Sequence, residues 1–296
     1  MNLKPRIIDE GITASGREYV ALDRCGSFSL RKTFDCGQTF RFEPVKPFET
    51  DPPDTFSVMG NAFGKWIQLS QSGDRLTLYG ANSAEYENLW KQYLDFDEDY
   101  DAADEAILAA MPHDGYRQTM ARAVEYGRGI RILRQDPFEA LISFIISQNN
   151  NIPRIKKIID ALCRKYGVSG AFPTPDALAG ASQEDLMALG AGYRAKYIRD
   201  AAEKIAGGDV DLGEIIACED YSRCTELVSR INGVGPKVAS CVLLFGFHKT
   251  EAFPIDVWMK KSLARHFPEG FDPAPLGRNS GLCQQYLFYY ERWNGE

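Results

Sequence analysis

A glycine-rich turn between two apolar helical segments is the feature that most constrains this chain of 296 residues. The apolar run that ends at Ile231 is interrupted by Gly233-Val-Gly235, and Pro236 then suits the first position of a new helix because its φ is fixed. The two glycines permit a tight turn, and the amides that begin the second helix favour an anion such as phosphate. The sequence therefore predicts a helix-hairpin-helix with a phosphate-binding turn.

Two charged residues accompany this turn. Lys237 falls in the first turn of the second helix, where the helix dipole disfavours a cation, and a neutral lysine amine is a nucleophile. Asp256 places a carboxylate at the start of a further predicted helix. An amine that attacks C1′ of a nucleotide expels the base and forms a Schiff base, and a carboxylate stabilises the positive charge that develops on the sugar. The pair favours cleavage of a glycosidic bond. The simpler alternative is a surface lysine and an aspartate that only caps its helix.

Composition excludes several classes of protein. The chain is 44% hydrophobic and 25% charged, as is ordinary for a globular protein. Its seven cysteines are odd in number and contain no Cys-x-x-Cys pair, which argues against a disulfide framework or a zinc site. No apolar run approaches the roughly 20 residues that span a bilayer, and Met1–Arg6 lacks the apolar core of a signal peptide. We therefore expect a cytoplasmic protein with no membrane contact. We also expect no cofactor and no metal-ligand residues, and a metal ion held by carbonyls of the hairpin stays open.

The charge of the chain is unevenly distributed. A net charge of −7 taken alone speaks against a nucleic-acid-binding protein. Acidic residues concentrate in the N-terminal third, notably from Asp95 to Glu105, whereas residues 106–204 carry an excess of Lys and Arg. A local basic face can bind phosphate even when the total charge is negative. The charge is therefore compatible with binding of DNA by the middle of the chain.

The hydrophobic pattern changes from strand-like to helical at about Ser83. Between about Tyr19 and Tyr79, short alternating runs are bounded by turn residues and predict an antiparallel sheet, with a proline-rich loop from Val45 to Thr55. Later segments have helical periodicity, and the run Phe138–Ser147 is apolar enough to be a buried central helix. The order predicts an α+β fold: an N-terminal antiparallel β-sheet domain with the first helices over residues 1–112, then a multi-helix domain over residues 113–296.

The individual elements follow from the same pattern. The predicted strands are Ser27–Phe34, Gln38–Phe42, Phe56–Met59, Lys65–Leu69 and Arg75–Tyr79. The predicted helices are Ala84–Tyr93, Asp101–Ala110, Asp114–Tyr126, Phe138–Ser147, Arg154–Lys165, Pro175–Ala179, Ser182–Leu189, Arg194–Ala206, Tyr221–Ile231, Pro236–Phe247, Val257–His266 and Leu282–Trp293. The last of these helices is expected to pack back near the sheet.

Four stretches, in this order along the chain, resemble the 8-oxoguanine DNA glycosylase/AP lyase family of the helix-hairpin-helix Gly/Pro-Asp superfamily. They are Cys36–Arg41, Ser143–Arg154, Leu189–Lys196, and the hairpin with Pro254–Val257. The resemblance covers essentially the whole chain. It implies a bifunctional enzyme that excises 8-oxoguanine opposite cytosine from duplex DNA and then cleaves the strand by β-elimination. Lys237 would be the Schiff-base nucleophile and Asp256 the catalytic carboxylate.

The resemblance also implies a pocket for a flipped base. In the family, the carbonyl of the glycine that corresponds to Gly37 accepts a hydrogen bond from N7–H, which distinguishes 8-oxoguanine from guanine. Cys241 follows Lys237 by one helical turn and would form one wall, with Phe288 as the other. Gln284, one turn before Phe288, would face the Watson–Crick edge. Two simpler interpretations stay open: Gly37 as a strand bulge and Phe288 as an ordinary core residue.

A third set of residues would contact the DNA around the lesion. Asn149, Arg154 and Arg194 are implied to contact the cytosine left unpaired by base flipping, and Tyr193 to wedge into the stack. Gly233 and Gly235 would hold the DNA backbone. The alternative for the asparagine run at positions 149–151 is helix capping alone.

One position departs from the family pattern. Trp258 follows Asp256 at the site where many members have a histidine near the phosphate on the damaged side. This resembles a bacterial branch of the family, so we expect a monomer that works in association with a bacterial nucleoid. It leaves the phosphate contact and the strictness for cytosine open.

Three other functions compete with this interpretation. A glycosylase for an alkylated purine is one, although such relatives are typically monofunctional and lack the lysine. A non-catalytic module that binds damaged DNA is the second, and a purely structural helical protein is the third. Only catalysis by a lysine gives a reason for both Lys237 and Asp256 in this context.

Overall fold

A six-stranded antiparallel sheet forms the first part of the molecule, with strand order β1-β2-β6-β5-β4-β3. The computed structural model describes residues 4–48 and 50–294, so Met1–Leu3 of the N-terminal stretch and Glu49 of the proline-rich loop lie outside it. The strands are β1 (Arg6–Ile12), β2 (Glu18–Asp23), β3 (Phe42–Val45), β4 (Phe56–Ala62), β5 (Lys65–Ser72) and β6 (Arg75–Tyr79). The predicted α+β class is confirmed.

Alternation along the central strands builds the core beneath the sheet. Leu76 and Leu78 of β6 pair with Leu22 and Val20 of β2, and all four side chains are fully buried. The helical segment that follows the sheet consists of α2 (Ser83–Glu85), a π-helical turn (Tyr86–Trp90) and α3 (Lys91–Tyr93). Its Trp90 is fully buried in the same cluster. The sheet therefore keeps one apolar face under this helical segment.

The prediction of a strand over Ser27–Phe34 is wrong, because this segment contains α1 (Leu30–Asp35). The Ser29 side chain caps the helix by accepting a hydrogen bond from the Lys32 amide. Leu30 and Thr33 are buried three residues apart, and this short run fits a helix as well as a strand. The predicted strand Gln38–Phe42 is likewise a loop as far as Arg41.

The remaining helices form the second part of the molecule. They are α4 (Tyr100–Ala109), α5 (Asp114–Gly127), α6 (Pro137–Ser147), α7 (Ile152–Tyr166), α8 (Pro175–Ala179), α9 (Gln183–Ala188), α10 (Ala195–Ala206), α11 (Leu212–Ala217), α12 (Tyr221–Ser229), α13 (Pro236–Phe245), α14 (Val257–His266) and α15 (Ser280–Asn294). Each predicted helix is present within two residues at either end. The sequence analysis missed α11, the largely exposed strand β1, the strand β2 and all of β3 except Phe42.

Helix α6 is the centre of the helical part, as predicted. Asp136 caps it, accepting a hydrogen bond of 2.8 Å from the Glu139 amide, and Pro137 occupies its first position. From Phe138 to Ile146 every residue is buried. Helix α6 packs against α7, α10 and α13, so it fixes the position of the hairpin that carries Lys237.

Helix α15 closes the fold against α5. A Cβ on Gly127 of α5 would lie 2.5 Å from the Tyr286 ring of α15, so the two helices can approach this closely only because residue 127 is glycine. Cys36, Met120 and Leu287 belong to one apolar cluster, which joins the end of α1, α5 and α15. The division between residues 112 and 113 stays a prediction. No helix in the described part of the chain is long and apolar enough to cross a membrane.

A buried ion pair connects the loop before β3 with α6. Arg41 Nη1 lies 3.2 Å from Glu139 Oε2, and the two side chains are only 8% and 10% exposed. Arg41 also donates to Asn61 Oδ1 of β4 at 3.2 Å. Burial raises the pKa of Glu139 to about 7, and the charge of Arg41 opposes this rise. The pair therefore joins the sheet to the helices, and its effect on the free energy of unfolding depends on pH.

We expect Arg41→Met to lower the free energy of unfolding by roughly 3 kcal/mol at pH 8, because it leaves a buried carboxylate without its partner. The pKa of folded Glu139 lies above the ordinary value of 4.5, so stability from its protonation is present below that value and is lost as the pH rises through about 7. The destabilisation should therefore be smaller at pH 5.5, as measured by urea denaturation. Arg75→Met, on the exposed end of β6, is the control, and equal losses at both pH values would contradict this role of Glu139.

Candidate active site

A cavity of about 150 Å³ lies where α6, α13 and α15 meet the loop after α1. All six residues predicted for catalysis or for the lesion pocket line it: Gly37, Lys237, Cys241, Asp256, Gln284 and Phe288. They come from four separate parts of the chain. Their convergence on one cavity is the central observation about the site.

The hairpin places Lys237 at the edge of this cavity. Helices α12 and α13 flank the turn, and Pro236 is the first residue of α13. The Lys237 side chain is half-buried, with Nζ 5.7 Å from the centroid of the Phe144 ring of α6. Cys241 lies one turn further, fully enclosed, and burial raises the pKa of its thiol although the neighbouring Lys237 opposes the rise. A neutral thiol and an aromatic ring therefore surround the amine.

Asp256 is the N-cap of α14, so the simpler role foreseen for it is present. Its Oδ1 accepts a hydrogen bond of 2.8 Å from the Met259 amide. Oδ2 has no hydrogen-bond partner in the described part of the chain, and the side chain lines the cavity. The hydrogen bond from Met259 therefore occupies Oδ1, and Oδ2 remains available for another interaction.

The two glycines of the turn differ in what they allow. Gly233 has φ +83°, and a Cβ there would lie 2.5 Å from Tyr197 Cγ of α10. Gly235 has φ −85° and is exposed, with no atom within 4 Å of a Cβ built on it. Gly233 is thus needed for folding of the turn. Gly235 leaves the amides at the start of α13 open to a ligand.

Gly37 lies in the loop after α1, not in a strand, so its interpretation as a strand bulge is wrong. Its φ is +81°, and a Cβ would lie 3.9 Å from Phe288 Cε1. The next residue, Gln38, is buried and holds the loop: it donates from Nε2 to the Arg131 carbonyl at 2.7 Å and accepts from the Leu133 amide at 2.8 Å. Sequence reasoning gave Gln38 no role, although it stands inside the motif.

Helix α15 lines the opposite side of the cavity. Gln284 is only 4% exposed, and its Oε1 accepts a hydrogen bond of 2.7 Å from Gln285. Phe288 is half-buried, packing partly on the α5–α15 cluster and partly facing the cavity. It is therefore not an ordinary, fully enclosed core residue.

The three asparagines after α6 divide between capping and exposure. Asn151 caps α7 by accepting from the Arg154 amide at 3.0 Å, and Asn150 donates to the Ile146 carbonyl at 3.0 Å. Asn149 is exposed in a left-handed conformation, with φ +46°. Its side chain has no hydrogen bond within residues 4–48 and 50–294. Capping thus accounts for two of the three residues and leaves Asn149 free.

A second loop, residues 190–194, lies against this one. Arg194 is 3% exposed and donates to the carbonyls of Gln148, Asn149 and Ala191. The Gln148 carbonyl accepts two of these bonds, so four of the five N–H donors of the guanidinium are used. Arg194 therefore positions the asparagine loop in this structure. Arg154 is exposed and donates one bond of 3.3 Å to the Gly190 carbonyl. The predicted contact of Arg194 with cytosine stays a prediction.

Tyr193 and Trp258 are two exposed aromatic residues predicted to contact DNA or to alter that contact. Tyr193 is 51% exposed, lies under the Arg194 guanidinium, and packs edge-on against Tyr197 with ring centroids 6.2 Å apart. Trp258 is 59% exposed near the start of α14, with Lys261 Nζ 5.7 Å from its ring centroid. Both rings are placed to stack on a ligand outside the protein.

The variants Gly233→Ala and Gly235→Ala test two different roles of glycine in the hairpin. Gly233 is needed for the turn to fold, and Gly235 keeps the amides of α13 exposed. Gly233→Ala should lower the melting temperature by several degrees, because it adds a strained φ and a clash with Tyr197. Gly235→Ala should leave the melting temperature nearly unchanged. Thermal unfolding followed by circular dichroism measures both. A normal melting temperature for Gly233→Ala would contradict the geometry of the turn.

Comparison with known proteins agrees with this geometry. The family model for the 8-oxoguanine DNA glycosylase N-terminal domain matches residues 23–141, and that for the HhH-GPD superfamily of base excision DNA repair proteins matches residues 142–275. A probable N-glycosylase/DNA lyase of Methanothermobacter thermautotrophicus is 33% identical over 215 residues, which cover 60% of this chain and 68% of the relative. The N-glycosylase/DNA lyase of Saccharomyces cerevisiae is 39% identical over 159 residues, or 47% of this chain and 42% of the relative.

A solved structure matches over nearly the whole length. The Clostridium acetobutylicum 8-oxoguanine glycosylase/lyase, in complex with double-stranded DNA containing cytosine opposite 8-oxoguanine, is 34% identical with a TM-score of 0.85. The match covers 99% of this chain and 100% of that structure. With both domain models in sequence and this agreement in fold, the chain belongs to the 8-oxoguanine DNA glycosylase family of the HhH-GPD superfamily.

Proposed function

We propose that this protein is a bifunctional DNA glycosylase that excises 8-oxoguanine opposite cytosine from duplex DNA and then cleaves the abasic strand as an AP lyase, in base excision repair. The observation that carries the proposal is the single cavity lined by Lys237, Asp256 and Gly37. Lysine-dependent excision of this base requires three groups: a nucleophile, a carboxylate and a backbone carbonyl that the base can approach closely. All three come from one chain, so we propose that the monomer is the active form.

The reaction begins with attack of the neutral Lys237 amine on C1′ of the flipped nucleotide. The N-glycosidic bond breaks, and the base departs with its electron pair and takes up a proton. The C1′–O4′ bond of the sugar ring then opens, O4′ takes the proton that the nitrogen loses, and C1′ forms a Schiff base with the Lys237 nitrogen. The free oxygen of Asp256 stabilises the positive charge that develops on the sugar. Removal of a C2′ proton then expels the 3′ phosphate, which is the β-elimination step.

The lesion is read by groups on two sides of the cavity. The carbonyl of Gly37 accepts from N7–H of 8-oxoguanine, whereas guanine presents an unprotonated N7 that would repel it. Phe288 and the Lys237–Cys241 face of α13 enclose the base plane, and Gln284 faces the Watson–Crick edge. Because Gln38 fixes the loop from behind, Gly37 needs little rearrangement to accept this bond.

The two exposed loops serve the opposite strand. Asn149 and Arg154 donate to the acceptors of the unpaired cytosine, and Tyr193 wedges into the gap in the stack. Arg194 contributes mainly by holding the carbonyls of Gln148 and Asn149 in place. Trp258 and the amides after Gly235 contact the backbone of the damaged strand. The resemblance to a bacterial branch supports action on the DNA of a nucleoid.

Borohydride trapping tests the chemistry directly. We expect wild-type protein and a duplex with 8-oxoguanine opposite cytosine to give a covalent adduct, and Lys237→Gln to give none. Lys65→Gln, on the sheet far from the cavity and paired with Glu85, is the matched control and should trap normally. No adduct with the wild type would reject the enzyme and leave a damage-binding module. An equal adduct with Lys237→Gln would reject this nucleophile.

Asp256→Asn should slow base removal by more than tenfold in single-turnover assays, because about 1.4 kcal/mol of lost charge stabilisation already corresponds to a factor of ten. The asparagine keeps the oxygen that accepts from the Met259 amide, so the melting temperature should change little. A near-normal rate would reduce Asp256 to a helix cap.

Arg154→Ala should weaken discrimination between cytosine and adenine opposite the lesion. Each good polar contact to a base contributes about 1–3 kcal/mol of discrimination, so we expect the ratio of excision rates for the two duplexes to fall by roughly tenfold. Arg199→Ala, on α10 and paired with Glu203, is the control. An unchanged ratio would show that other groups read the opposite base.

A further inference from the structure

One charged residue that the sequence analysis did not single out also lines the active-site cavity. This residue is Arg292 of α15. It follows Gln284 and Phe288 at intervals of four residues, so the three side chains share one face of the helix. Burial decreases along this face, from 4% exposure at Gln284 to half-buried side chains at Phe288 and Arg292. Arg292 therefore lies towards the mouth of the cavity, beyond the aromatic wall.

The guanidinium of Arg292 makes no direct contact with a carboxylate in the described part of the chain, although its charge acts on Asp35. It forms no salt bridge or hydrogen bond there, and Cζ lies 5.1 Å from the centroid of the exposed Trp293 ring. The adjacent Glu291 is occupied by Arg265 and His266 of α14. A half-buried guanidinium carries five N–H donors, and leaving them unsatisfied is costly when water is excluded. An occupant of the cavity that offers oxygen acceptors would satisfy them.

Arg292 and Gly37 both line the cavity, and Phe288 lies between them along this wall. Burial raises the pKa of Asp35, and the charge of Arg292 is the largest effect that opposes this rise. Asp35 ends α1, two residues before Gly37. Phe288 joins the two regions, because its ring lies next to Gly37 and Arg292 follows it by one turn. A base whose edge meets Gly37 would therefore lie against the Phe288 wall, which continues to Arg292.

That edge of 8-oxoguanine carries two oxygen acceptors. N7–H lies between the carbonyl oxygens O6 and O8, and the Gly37 carbonyl takes the proton in the middle. An arginine fork matches purine acceptors on this edge in DNA recognition generally. We propose that Arg292 donates a charge-assisted hydrogen bond to a carbonyl oxygen on the imidazole edge of the flipped 8-oxoguanine and is a lesion-reading residue. The inference rests on the proposed function, since it requires that the base enters this cavity.

A contact with a DNA phosphate is the competing role for a cation at a cavity mouth, and one comparison separates the two. A phosphate contact would be made with any bound duplex, including one that already holds an abasic site. A contact with the base would be absent from abasic DNA. We therefore compare two single-turnover rates for each variant: excision of 8-oxoguanine opposite cytosine, and strand cleavage at a preformed abasic site opposite cytosine.

For Arg292→Leu we expect excision to slow by roughly 10- to 100-fold, as for loss of a hydrogen bond from a charged donor. Abasic-site cleavage should stay within about twofold of the wild-type rate. Arg292→Lys keeps the charge and loses the fork, so its excision rate should fall between the two. Arg6→Leu, which removes the same charge from an exposed pair with Asp23 on the sheet, should leave both rates unchanged.

Three results would overturn the inference. Normal excision by Arg292→Leu would show that the base does not need this residue. An equal loss of both rates, in Arg292→Leu and Arg292→Lys, would assign Arg292 to a phosphate or to the fold. A wild-type protein that cleaves abasic DNA but excises no 8-oxoguanine would reject the proposed function, and with it the base that Arg292 is proposed to read.

Discussion

The active site depends on polar contacts that hold the loop after α1 against the helices. Gln38 donates to the Arg131 carbonyl and accepts from the Leu133 amide, Gln135 donates to the Gln38 carbonyl at 2.8 Å, and Arg41 pairs with Glu139. All partners in the helical part lie within nine residues, 131–139, immediately before and within the first turn of α6. In a buried setting such bonds are strong when complete and costly when one member is lost. The position of Gly37 relative to Lys237 is therefore fixed by side chains that do not enter the cavity.

This arrangement gives a site whose parts are rigid before DNA arrives. Lys237 is carried on α13, which packs on α6. Arg41 pairs with Glu139 of α6, and Gln38 bonds to the backbone of residues 131 and 133 just before that helix. Phe288 and Gln284 stand on α15, which is packed against α5 at Gly127. Groups mounted on packed helices lose little further freedom when the substrate binds. The energy of DNA binding is then available for extracting the base from the stack.

Much of the fold was accessible from the sequence because its signals are local. Asp136-Pro137 and Gly233–Pro236 set helix ends through fixed φ values and caps, and the fully apolar run of α6 can only be buried. The prediction of a strand for Ser27–Phe34 was wrong because the apolar pattern over eight residues is too short to decide between two structures. A strand and a short helix that follows a turn both fit it. Helix capping by the asparagine run was foreseen, but only the structure shows that Asn150 and Asn151 form the caps and that the Asn149 side chain forms no hydrogen bond in the described part of the chain.

The parts of the site that sequence reasoning missed depend on long-range contacts. The sequence gives Gln38 no evident role, because the backbone of residues 131–133 lies next to it only in the folded protein. Arg194 was predicted to contact DNA, although most of its donors are used by the carbonyls of Gln148 and Asn149, 46 and 45 positions earlier in the chain. Arg292 carries no motif at all, and its place in the cavity follows only from the packing of α15.

The ring of Tyr197 links two parts of the protein that are proposed to contact different strands of DNA. It fills the space above Gly233 in the phosphate-binding turn, and its edge supports Tyr193, the wedge beside the asparagine loop. The proposed contacts with the two strands, by the hairpin turn and by Tyr193, are therefore connected through one aromatic side chain. If the two contacts are coupled through this ring, reciprocity requires that a gain at the wedge also strengthens the contact with the backbone. On undamaged DNA, where the stack resists the wedge, the same linkage would keep the grip weak and let the protein move on.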